Sequence, residues 1–505
     1  MLKRLNGMDA MLLYGETANL HAHTLKVLVV DAAASGELNL ESFRSHVKSK
    51  LTSLTPLRYQ LLEMPWRAHH PMWVVTDQID LDYHVRSTRV AAPGGRRQLD
   101  ETISRIASTP LDRHRPLWEF HVAEGLTNGK VAIIGKIHHS LADGLASVNL
   151  LKQLMGLDIS VTEDAFDGID AETISRGSLW KSVGRDHLRQ IAALPSLVKD
   201  TVGGASRMRR NAKGRPANPD VARPFTAPPT FLNHPISPGR RFATASLPLS
   251  DVKDVAKFFG VTFTDVISAA ATGALRDLLL RYDGRADRPL LATVPICTDL
   301  SPNRFAGNEI GGLTVSLPVH VTDPAQRVSL ISMASADAKK ANDLLGPTLQ
   351  GRFMEYLPPP LAPALFRRQC RSAANKVMNV AISTVPGPRL RGNICGASVT
   401  EIYSVGILSA ASAFNLTAWS YADHVNVAVL SDDRTFEDIR EVADAIRRAF
   451  AELQSAAGSG AESATTNDLN DVREHMADIR RTPMPHGRIS PALAARDSQL
   501  VNGVA

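Results

Sequence analysis

Residues 131–151, VAIIGKIHHSLADGLASVNLL, join a strand-like segment to a helix-like segment through two adjacent histidines. The apolar run VAIIGKI predicts a buried strand, and the following LASVNLLKQLM predicts a helix. Because side chains alternate across a strand, His138 and His139 are expected to point to opposite faces. Asp143 stands where the helix begins, a favoured place for a capping carboxylate, and Gly144 permits a tight turn. The stretch predicts one imidazole held at the mouth of a strand by a short, braced loop.

A neutral imidazole in this position is suited to general base catalysis, because its pKa lies near physiological pH. An acyl transfer to an alcohol needs such a base, which takes the hydroxyl proton while the oxygen attacks a thioester or ester carbonyl. The alcohol then needs no serine or cysteine nucleophile, and the sequence has no G-x-S-x-G elbow. The stretch therefore favours direct acyl transfer over a serine-hydrolase mechanism.

Metal binding is the main alternative for adjacent histidines followed by an aspartate. Neighbouring side chains on a strand diverge, and the sequence has neither H-E-x-x-H nor paired cysteines. A second pair, His69-His70, has no Asp-Gly after it and is interpreted as loop and packing. We therefore predict no metal site and assign the histidines of HHSLADG to acid–base chemistry.

The composition is that of a soluble globular chain of 505 residues, with 44% hydrophobic and 21% charged residues. These values exclude a mostly disordered, collagen-like or coiled-coil protein. Three cysteines are too few for a disulfide framework, and the first residues lack the apolar core of a signal peptide, so we expect a cytoplasmic protein. Residues 402–422 are uncharged, but their polar side chains are costly in hydrocarbon. This segment is therefore predicted to form two buried strands around a turn.

Positive charge is concentrated in one segment of the chain. The net charge of +6 is small for this length and does not indicate a nucleic-acid partner. Residues 181–215, however, hold nine basic and only two acidic residues. This segment suits a phosphate-bearing ligand or an anionic membrane surface. A solvated helical face followed by a loose loop is the alternative interpretation.

Four zones follow one another along the chain. Residues 1–160 alternate strand-like runs with helical periods, and residues 161–235 are a basic, Pro-rich linker. The alternation resumes over residues 236–455, and residues 456–505, which lack aromatic residues, are predicted to be a disordered tail. Two mixed halves predict an α/β or α+β class with a ligand cleft or tunnel between them. Within the halves we predict strands at 24–30, 130–138, 242–247 and 289–296, and helices at 263–280 and 436–453.

Several motifs carry a resemblance to a known family. HHSLADG resembles the HHxxxDG motif of CoA-dependent acyltransferases, which include chloramphenicol acetyltransferase-like enzymes and peptide-synthetase condensation domains. The run 116–118, PLW, and the run 383–388, STVPGP, resemble the PLW and NVPGP elements of the bacterial wax ester synthase/diacylglycerol acyltransferase family. Gly307-Asn308, Ser420-Tyr421 and the opening LNGMDAMLLYGE, with Asp9, are also similar to that family. The resemblance extends over residues 5–455 and is greatest to actinobacterial members.

The resemblance implies a fold and a set of roles. The fold would be two chloramphenicol acetyltransferase-like domains, each a mixed sheet flanked by helices, with a tunnel between them. His139 resembles the family's general base and His138 its supporting neighbour, while Asp143 would brace the loop and pair with a cation elsewhere, and Gly144 would permit the turn. The residues implied in substrate binding are Pro116, Leu117, Trp118, Thr264, Asp265, Asn308, Ser383 and Thr384.

Two of these positions depart from the family's pattern. The family often has Asn-Asp where this chain has Thr264-Asp265, and Thr384 replaces the asparagine of NVPGP. Threonine still donates a hydrogen bond, so Thr384 or Ser383 remains a candidate donor to a developing oxyanion. For the PLW run, packing in a wall is favoured over direct ligand contact, and residues 385–388 are alternatively a rigid turn.

The implied reaction moves a long-chain acyl group from acyl-CoA, a substrate rather than a cofactor, to the hydroxyl of diacylglycerol. Wax ester synthesis with a long-chain alcohol is one alternative, and a non-catalytic lipid-binding relative is another. A condensation domain is a weaker alternative, because no carrier module fits in the chain. Since both substrates are lipids, we expect a protein peripheral to the inner membrane face or to lipid droplets. Residues 181–215 and the apolar residues 353–366 are the two candidate contacts. An ordinary buried entry to a helix is the alternative interpretation of residues 353–366.

Overall fold

The computed structural model describes residues 3–33, 38–157, 175–213, 218–301 and 304–463 of the 505-residue chain. Of these, the residues up to Gln454 form one compact unit. The helices and strands up to residue 213 are, in chain order, β1 (Lys3–Arg4), α1 (Gly7–Gly15), β2 (His23–Asp31), α2 (Leu40–Lys50), β3 (Tyr59–Leu62), β4 (Met72–Val75), α3 (Leu81–His84), β5 (Val85–Arg89), α4 (Arg96–Ala107), β6 (Trp118–Glu124), β7 (Lys130–His138), α5 (Gly144–Leu154) and α6 (Arg176–Ala212).

The chain after residue 217 adds eight further strands and six further helices among the described residues. These elements are β8 (Arg240–Pro248), α7 (Leu249–Phe259), α8 (Phe263–Tyr282), β9 (Leu290–Cys297), β10 (Ile310–Leu317), α9 (Pro324–Leu345), α10 (Leu349–Met354), α11 (Ala362–Cys370), β11 (Val380–Pro386), β12 (Asn393–Ile394), β13 (Ala397–Val405), β14 (Phe414–Tyr421), β15 (His424–Asp432) and α12 (Arg440–Ser463).

Most of the strands belong to two six-stranded mixed sheets. This architecture confirms the predicted α/β or α+β class. The first sheet has the order β12-β13-β2-β7-β6-β5, and the second has the order β10-β9-β11-β14-β15-β8. Strands β2 and β7 pair antiparallel at the centre of the first sheet and are buried along almost their whole length. Burial on both faces explains why their sequences read as nearly continuous apolar runs.

The second sheet carries its own core. Helix α8 is buried along most of its length and packs with strands β8, β9, β11 and β14 in one apolar cluster. A capping box at Thr262 and Asp265 starts this helix. A separate cluster joins the two halves, since Leu99 and Ile103 of α4 pack with Phe242 of β8. The interface between the halves is therefore part of the protein's core.

The four predicted strands and the helix predicted at 263–280 are confirmed with small changes of boundary, whereas the helix predicted at 436–453 begins at residue 440 and ends at residue 463. Residues 402–422 form the end of β13, a turn and β14, as the polar content of that segment predicted. No single helix in the described ranges is long and apolar enough to cross a membrane, and only α7 and α8 together, bent by 98°, reach that length and composition.

Two strands of the second half, β12 and β13, belong to the first sheet. Strand β13 pairs antiparallel with β2, and β12 pairs with β13 at the sheet edge. The predicted division at residue 236 therefore does not coincide with a division between the sheets. Sequence periodicity identifies a strand but not its partner, which explains the difference.

The linker and the tail also differ from their predictions in part. Residues 176–212 of the predicted linker form the 37-residue helix α6, which contains Pro195. The start of the predicted tail, residues 456–463, continues α12. Residues 158–174, 214–217 and 464–505, which include most of the tail, lie outside the described residues.

The crossing strand gives a test of how the halves depend on each other. Ile402 of β13 lies opposite Leu28 of β2, and both side chains are fully buried. We expect Ile402→Ala to lower the free energy of unfolding by about 2–5 kcal/mol, because it leaves a cavity in the first sheet's core. Urea unfolding followed by tryptophan fluorescence measures the change. Leu390→Ala, at a side chain that is 73% exposed, is the control and should stay within about 0.5 kcal/mol of the wild type. Equal losses in both variants would contradict the placement of Ile402 in the core of the first sheet.

Candidate active site

The two histidines of HHSLADG stand at the end of β7. The backbone N–H of His138 donates to the carbonyl of Leu117 and that of His139 to the carbonyl of Ala22, at 2.9 and 2.7 Å. The His138 ring is fully buried, with Nδ1 2.7 Å from the hydroxyl of Ser140. The His139 ring is half-buried and contacts Asn308 instead. The two rings thus make separate contacts, as alternation along a strand predicts.

Asn308 holds the His139 ring through its side-chain amide. The amide nitrogen donates to a carboxylate oxygen of Asp9 and to the backbone carbonyl of His139, both at 2.7 Å. The amide oxygen then faces Nδ1 of His139 at 2.9 Å and accepts its hydrogen. Because Nδ1 carries the hydrogen, Nε2 of the neutral ring is left with the lone pair. The arrangement presents a base at Nε2.

Arg304 is the cation that pairs with Asp143. The guanidinium approaches the two carboxylate oxygens at 2.7 and 3.0 Å, and both side chains are largely buried. Asp143 also caps α5 by accepting from the backbone N–H of Ala146 at 3.0 Å, and it accepts from the N–H of Glu309 at 3.1 Å. The carboxylate therefore braces the loop after β7 against the segment between β9 and β10.

Two glycines lie close to the ion pair of Asp143 and Arg304 in the chain. Gly307 has a φ of +82° and exchanges backbone hydrogen bonds with Leu141 and Asp143, at 2.7 and 3.2 Å. Such a φ is readily adopted by glycine alone. Gly144 was expected to permit a tight turn, but it is the first residue of α5 and is not among the residues with positive φ. A Cβ there would lie 3.4 Å from a methyl of Val385 on β11, which is ordinary van der Waals contact.

Burial and a nearby lysine lower the pKa of the His139 imidazole. Burial is the larger cause, and the positive charge of Lys26 adds to it. Lys26 lies within β2, where its amine donates to the hydroxyl of Ser404 at 2.6 Å and stands 5.3 Å from the ring centre of Trp419. Burial in turn lowers the pKa of Lys26 to about 7, against the opposing effect of Asp143. His139 therefore stays neutral, and able to accept a proton, at a lower pH than an ordinary histidine.

His138 is supported from behind by an acid. Its Nε2 lies 3.7 Å from a carboxylate oxygen of Glu16, too long for a hydrogen bond but close enough for electrostatic attraction. Arg113 donates twice to the same oxygen, at 3.0 and 2.8 Å. Burial opposes the ionisation of Glu16, but His138 and Arg113 outweigh it and hold its pKa well below the usual range.

The two departures from the family pattern lie against each other. The hydroxyls of Thr264, near the start of α8, and Thr384, on β11, are 2.8 Å apart and form a hydrogen bond. Asp265 is buried, and its carboxylate accepts hydrogen bonds from the backbone N–H and the hydroxyl of Thr262 in the capping box. Ser383 is half-buried on β11, next to Thr384. The structure thus brings together the two positions that the sequence marked as unusual.

The PLW run is packed in the core of the first half. Pro116 is buried, and Leu117 and Trp118 are fully buried. The indole N–H of Trp118 donates to the carbonyl of Leu57 at 2.6 Å, and the ring stacks on His84 with centroids 4.3 Å apart. These contacts agree with the packing interpretation, while substrate contact at this run stays a prediction.

A cavity of about 540 Å³ opens beside β5 and β6. Its lining includes Arg86, Arg105 and His121 and no residue of HHSLADG, so it lies apart from the His139 ring. The tunnel between the halves that the resemblance implies stays a prediction.

Sequence reasoning missed three residues of this site. Lys26 left a signal, since a lysine in the middle of the apolar run TLKVLVV needs a buried partner. Glu16 closes the opening motif LNGMDAMLLYGE but has no distinguishing spacing. Arg304 left no signal, because its partner Asp143 is 161 residues away.

Comparison with known proteins shows the family of the chain. Residues 5–267 match the catalytic domain of the wax ester synthase/diacylglycerol acyltransferase family, and residues 306–454 match that family's C-terminal domain. The Mycobacterium tuberculosis protein "Putative diacyglycerol O-acyltransferase Rv0221" is 47% identical over 463 residues, 91% of this chain and 98% of the relative. A second protein of that organism, Rv1760, with the same description, is 30% identical over 475 residues, 92% of this chain and 93% of the relative.

Solved structures share the fold. A wax ester synthase/diacylglycerol acyltransferase from Marinobacter aquaeolei VT8 superposes with a TM-score of 0.62 at 24% identity, over 90% of this chain and 100% of that one. The first condensation domain of the calcium-dependent antibiotic synthetase superposes with a TM-score of 0.56 at 13% identity, over 90% of this chain and 97% of that one. The two mixed sheets and the HHxxxDG loop define a two-domain acyltransferase. The chain belongs to the wax ester synthase/diacylglycerol acyltransferase family.

The influence of Lys26 on His139 can be measured directly. We expect the His139 pKa to lie below the ordinary value of 6.5 and to rise in Lys26→Met, because removal of a nearby positive charge makes the imidazolium easier to form. Carbon-13 NMR of histidine-labelled protein, with the His139 signal assigned by substitution, measures both values. Lys130→Met, at the far end of β7, is the control and should leave the pKa unchanged. A lower His139 pKa in Lys26→Met than in the wild type would contradict the electrostatic effect of Lys26 on His139.

Proposed function

We propose that this protein transfers a long-chain acyl group from acyl-CoA to the free hydroxyl of diacylglycerol, forming triacylglycerol, with His139 as the general base. The observation that carries the proposal is the hydrogen bond from Nδ1 of His139 to Asn308, which leaves Nε2 as the proton acceptor. The names of the mycobacterial relatives support diacylglycerol as acceptor. The reaction takes place at a lipid surface, since diacylglycerol is not soluble in water.

The reaction needs no covalent intermediate between the acyl group and the enzyme. The acceptor hydroxyl gives its proton to Nε2 of His139 as its oxygen bonds to the thioester carbonyl carbon. The tetrahedral intermediate collapses, the carbon–sulfur bond breaks, and the imidazolium returns the proton to the sulfur of CoA. The lowered pKa of His139 supports the first step, because the ring is neutral and ready at physiological pH.

The threonine pair is a candidate donor to the oxyanion of the intermediate. In the bond between Thr264 and Thr384, one hydroxyl gives its hydrogen to the other oxygen. The accepting hydroxyl keeps its own hydrogen, which can turn toward a developing negative charge. The pair can thereby supply one hydrogen-bond donor to the oxyanion.

Purified protein incubated with labelled palmitoyl-CoA and either diacylglycerol or hexadecanol tests the activity. We expect triacylglycerol as the main product and a loss of roughly a hundred- to ten-thousand-fold in kcat for His139→Ala, the range of a general base. His424→Ala, at an exposed histidine outside the site, is the control and should keep the wild-type rate. Circular dichroism shows whether both variants are folded.

Each other outcome of this assay changes the proposal. A preference for hexadecanol would make the protein a wax ester synthase. Failure of the wild type to turn over acyl-CoA with any alcohol would favour a lipid-binding relative. A wild-type rate in His139→Ala would overturn the assignment of the base.

A double-mutant cycle tests the threonine pair. Thr264→Val and Thr384→Val each break the hydroxyl contact, and losing an oxyanion donor costs about a hundred- to a thousand-fold in kcat. Because the two hydroxyls act through one donated hydrogen, the double variant should be little slower than the slower single variant. Steady-state kcat for the four proteins measures this. Multiplicative losses would mean that the two threonines act independently.

A further inference from the structure

Helix α6 exposes a stripe of large apolar side chains along its length. The members of this stripe recur at intervals of three, four or eight residues, which places them within an arc of about 120° on a helix. Their exposed fractions range from 39% to 69%. The residues of the α6 stripe are Trp180, Leu188, Ile191, Leu194, Val198 and Val202.

The stripe lies beside the side of α6 that packs on the protein. Leu179, Val183 and Leu197 are the buried apolar residues of this helix and lie on another side of it. Six of the seventeen large apolar side chains that are exposed in the described residues belong to this single helix. Isolated exposed apolar residues are ordinary, but a contiguous set indicates an interaction surface.

Trp66 extends the stripe beyond the helix. Its side chain is 88% exposed, and its ring centre lies 5.9 Å from that of Trp180. Its φ is +53°, a conformation that is uncommon for a bulky residue. Two indoles side by side on an exposed surface match the preference of tryptophan for the boundary between lipid and water.

The charge of α6 selects among possible occupants of this face. The helix has eight basic and two acidic residues. Both acids pair with arginines of other elements, Asp186 with Arg4 and Asp200 with Arg352, each at 2.7 Å. Helical geometry places Lys181 beside the stripe, on the side away from the buried residues. The face is therefore apolar with a basic margin, and it suits an anionic partner.

We propose that the α6 stripe and Trp66 dock on a lipid surface with anionic headgroups, with α6 lying parallel to that surface. The apolar side chains enter the acyl region while the basic margin meets the headgroups, as in interfacial helices. A second copy of the chain is a poorer occupant, because a two-fold contact would bring two basic helices together. The inference deepens the proposed function, since the surface on which α6 docks would carry the acceptor.

Vesicle flotation with the full-length chain tests the docking surface. We expect the protein to float with vesicles of equal parts phosphatidylglycerol and phosphatidylcholine, and less with phosphatidylcholine alone or at high salt. The triple variant Leu188→Ser, Ile191→Ser, Val198→Ser should lower the partition coefficient by about tenfold or more. The matched control changes Phe258, Leu280 and Leu390, also exposed apolar residues, to serine and should float like the wild type.

The outcomes separate this inference from the proposed function. His139→Ala should float normally although it is inactive. The stripe variant should lose activity on vesicle-borne diacylglycerol but keep it with a short-chain acyl-CoA and a water-soluble alcohol. Equal flotation of the stripe variant and the wild type, or an equal loss in the control, would overturn the docking surface and leave the base assignment untouched. A dimer that light scattering detects in the wild type and not in the stripe variant would instead assign the face to a second copy.

Discussion

The side-chain amide of Asn308 is the contact on which the candidate site depends. It accepts from the His139 ring and donates to Asp9 and to the His139 backbone, so all of these bonds use one rigid planar group. A planar amide fixes the orientation of the imidazole and its tautomer together. Asp9 comes from α1, His139 follows β7, and Asn308 itself lies in the segment before β10. The His139 imidazole therefore acquires this orientation and tautomer only when these three parts of the chain are in contact.

The ion pair between Asp143 and Arg304 supports that amide indirectly. Both charges are largely buried, and loss of one partner would leave the other without its opposite charge, at a cost of about 3–5 kcal/mol. Arg304, Gly307 and Asn308 lie in one short segment, so the ion pair holds in place the residue that orients His139. Asp143 thus acts on the site through structure, whereas the proposed general base is Nε2 of His139.

Local patterns predicted the elements well but not their partners. The apolar runs of β2 and β7 and the buried composition of α8 identified strands and a helix, because burial acts directly on the residue types of one segment. HHSLADG identified the candidate base for the same reason, since its residues are contiguous. The pairing of β13 with β2, the ion pair of Asp143 and the contact between Thr264 and Thr384 join segments more than a hundred residues apart. A single sequence has no periodicity that reports such distances.

The crossing of β13 into the first sheet has a consequence for synthesis on the ribosome. The outer edge of β2 finds its partner only when residues 397–405 have been translated, after most of the chain has already emerged. Until then the nascent first half presents a long apolar strand with unpaired backbone groups, a template for wrong pairing with other chains. The growing polypeptide must therefore shelter this edge, by a chaperone or by transient internal contacts, for most of its elongation.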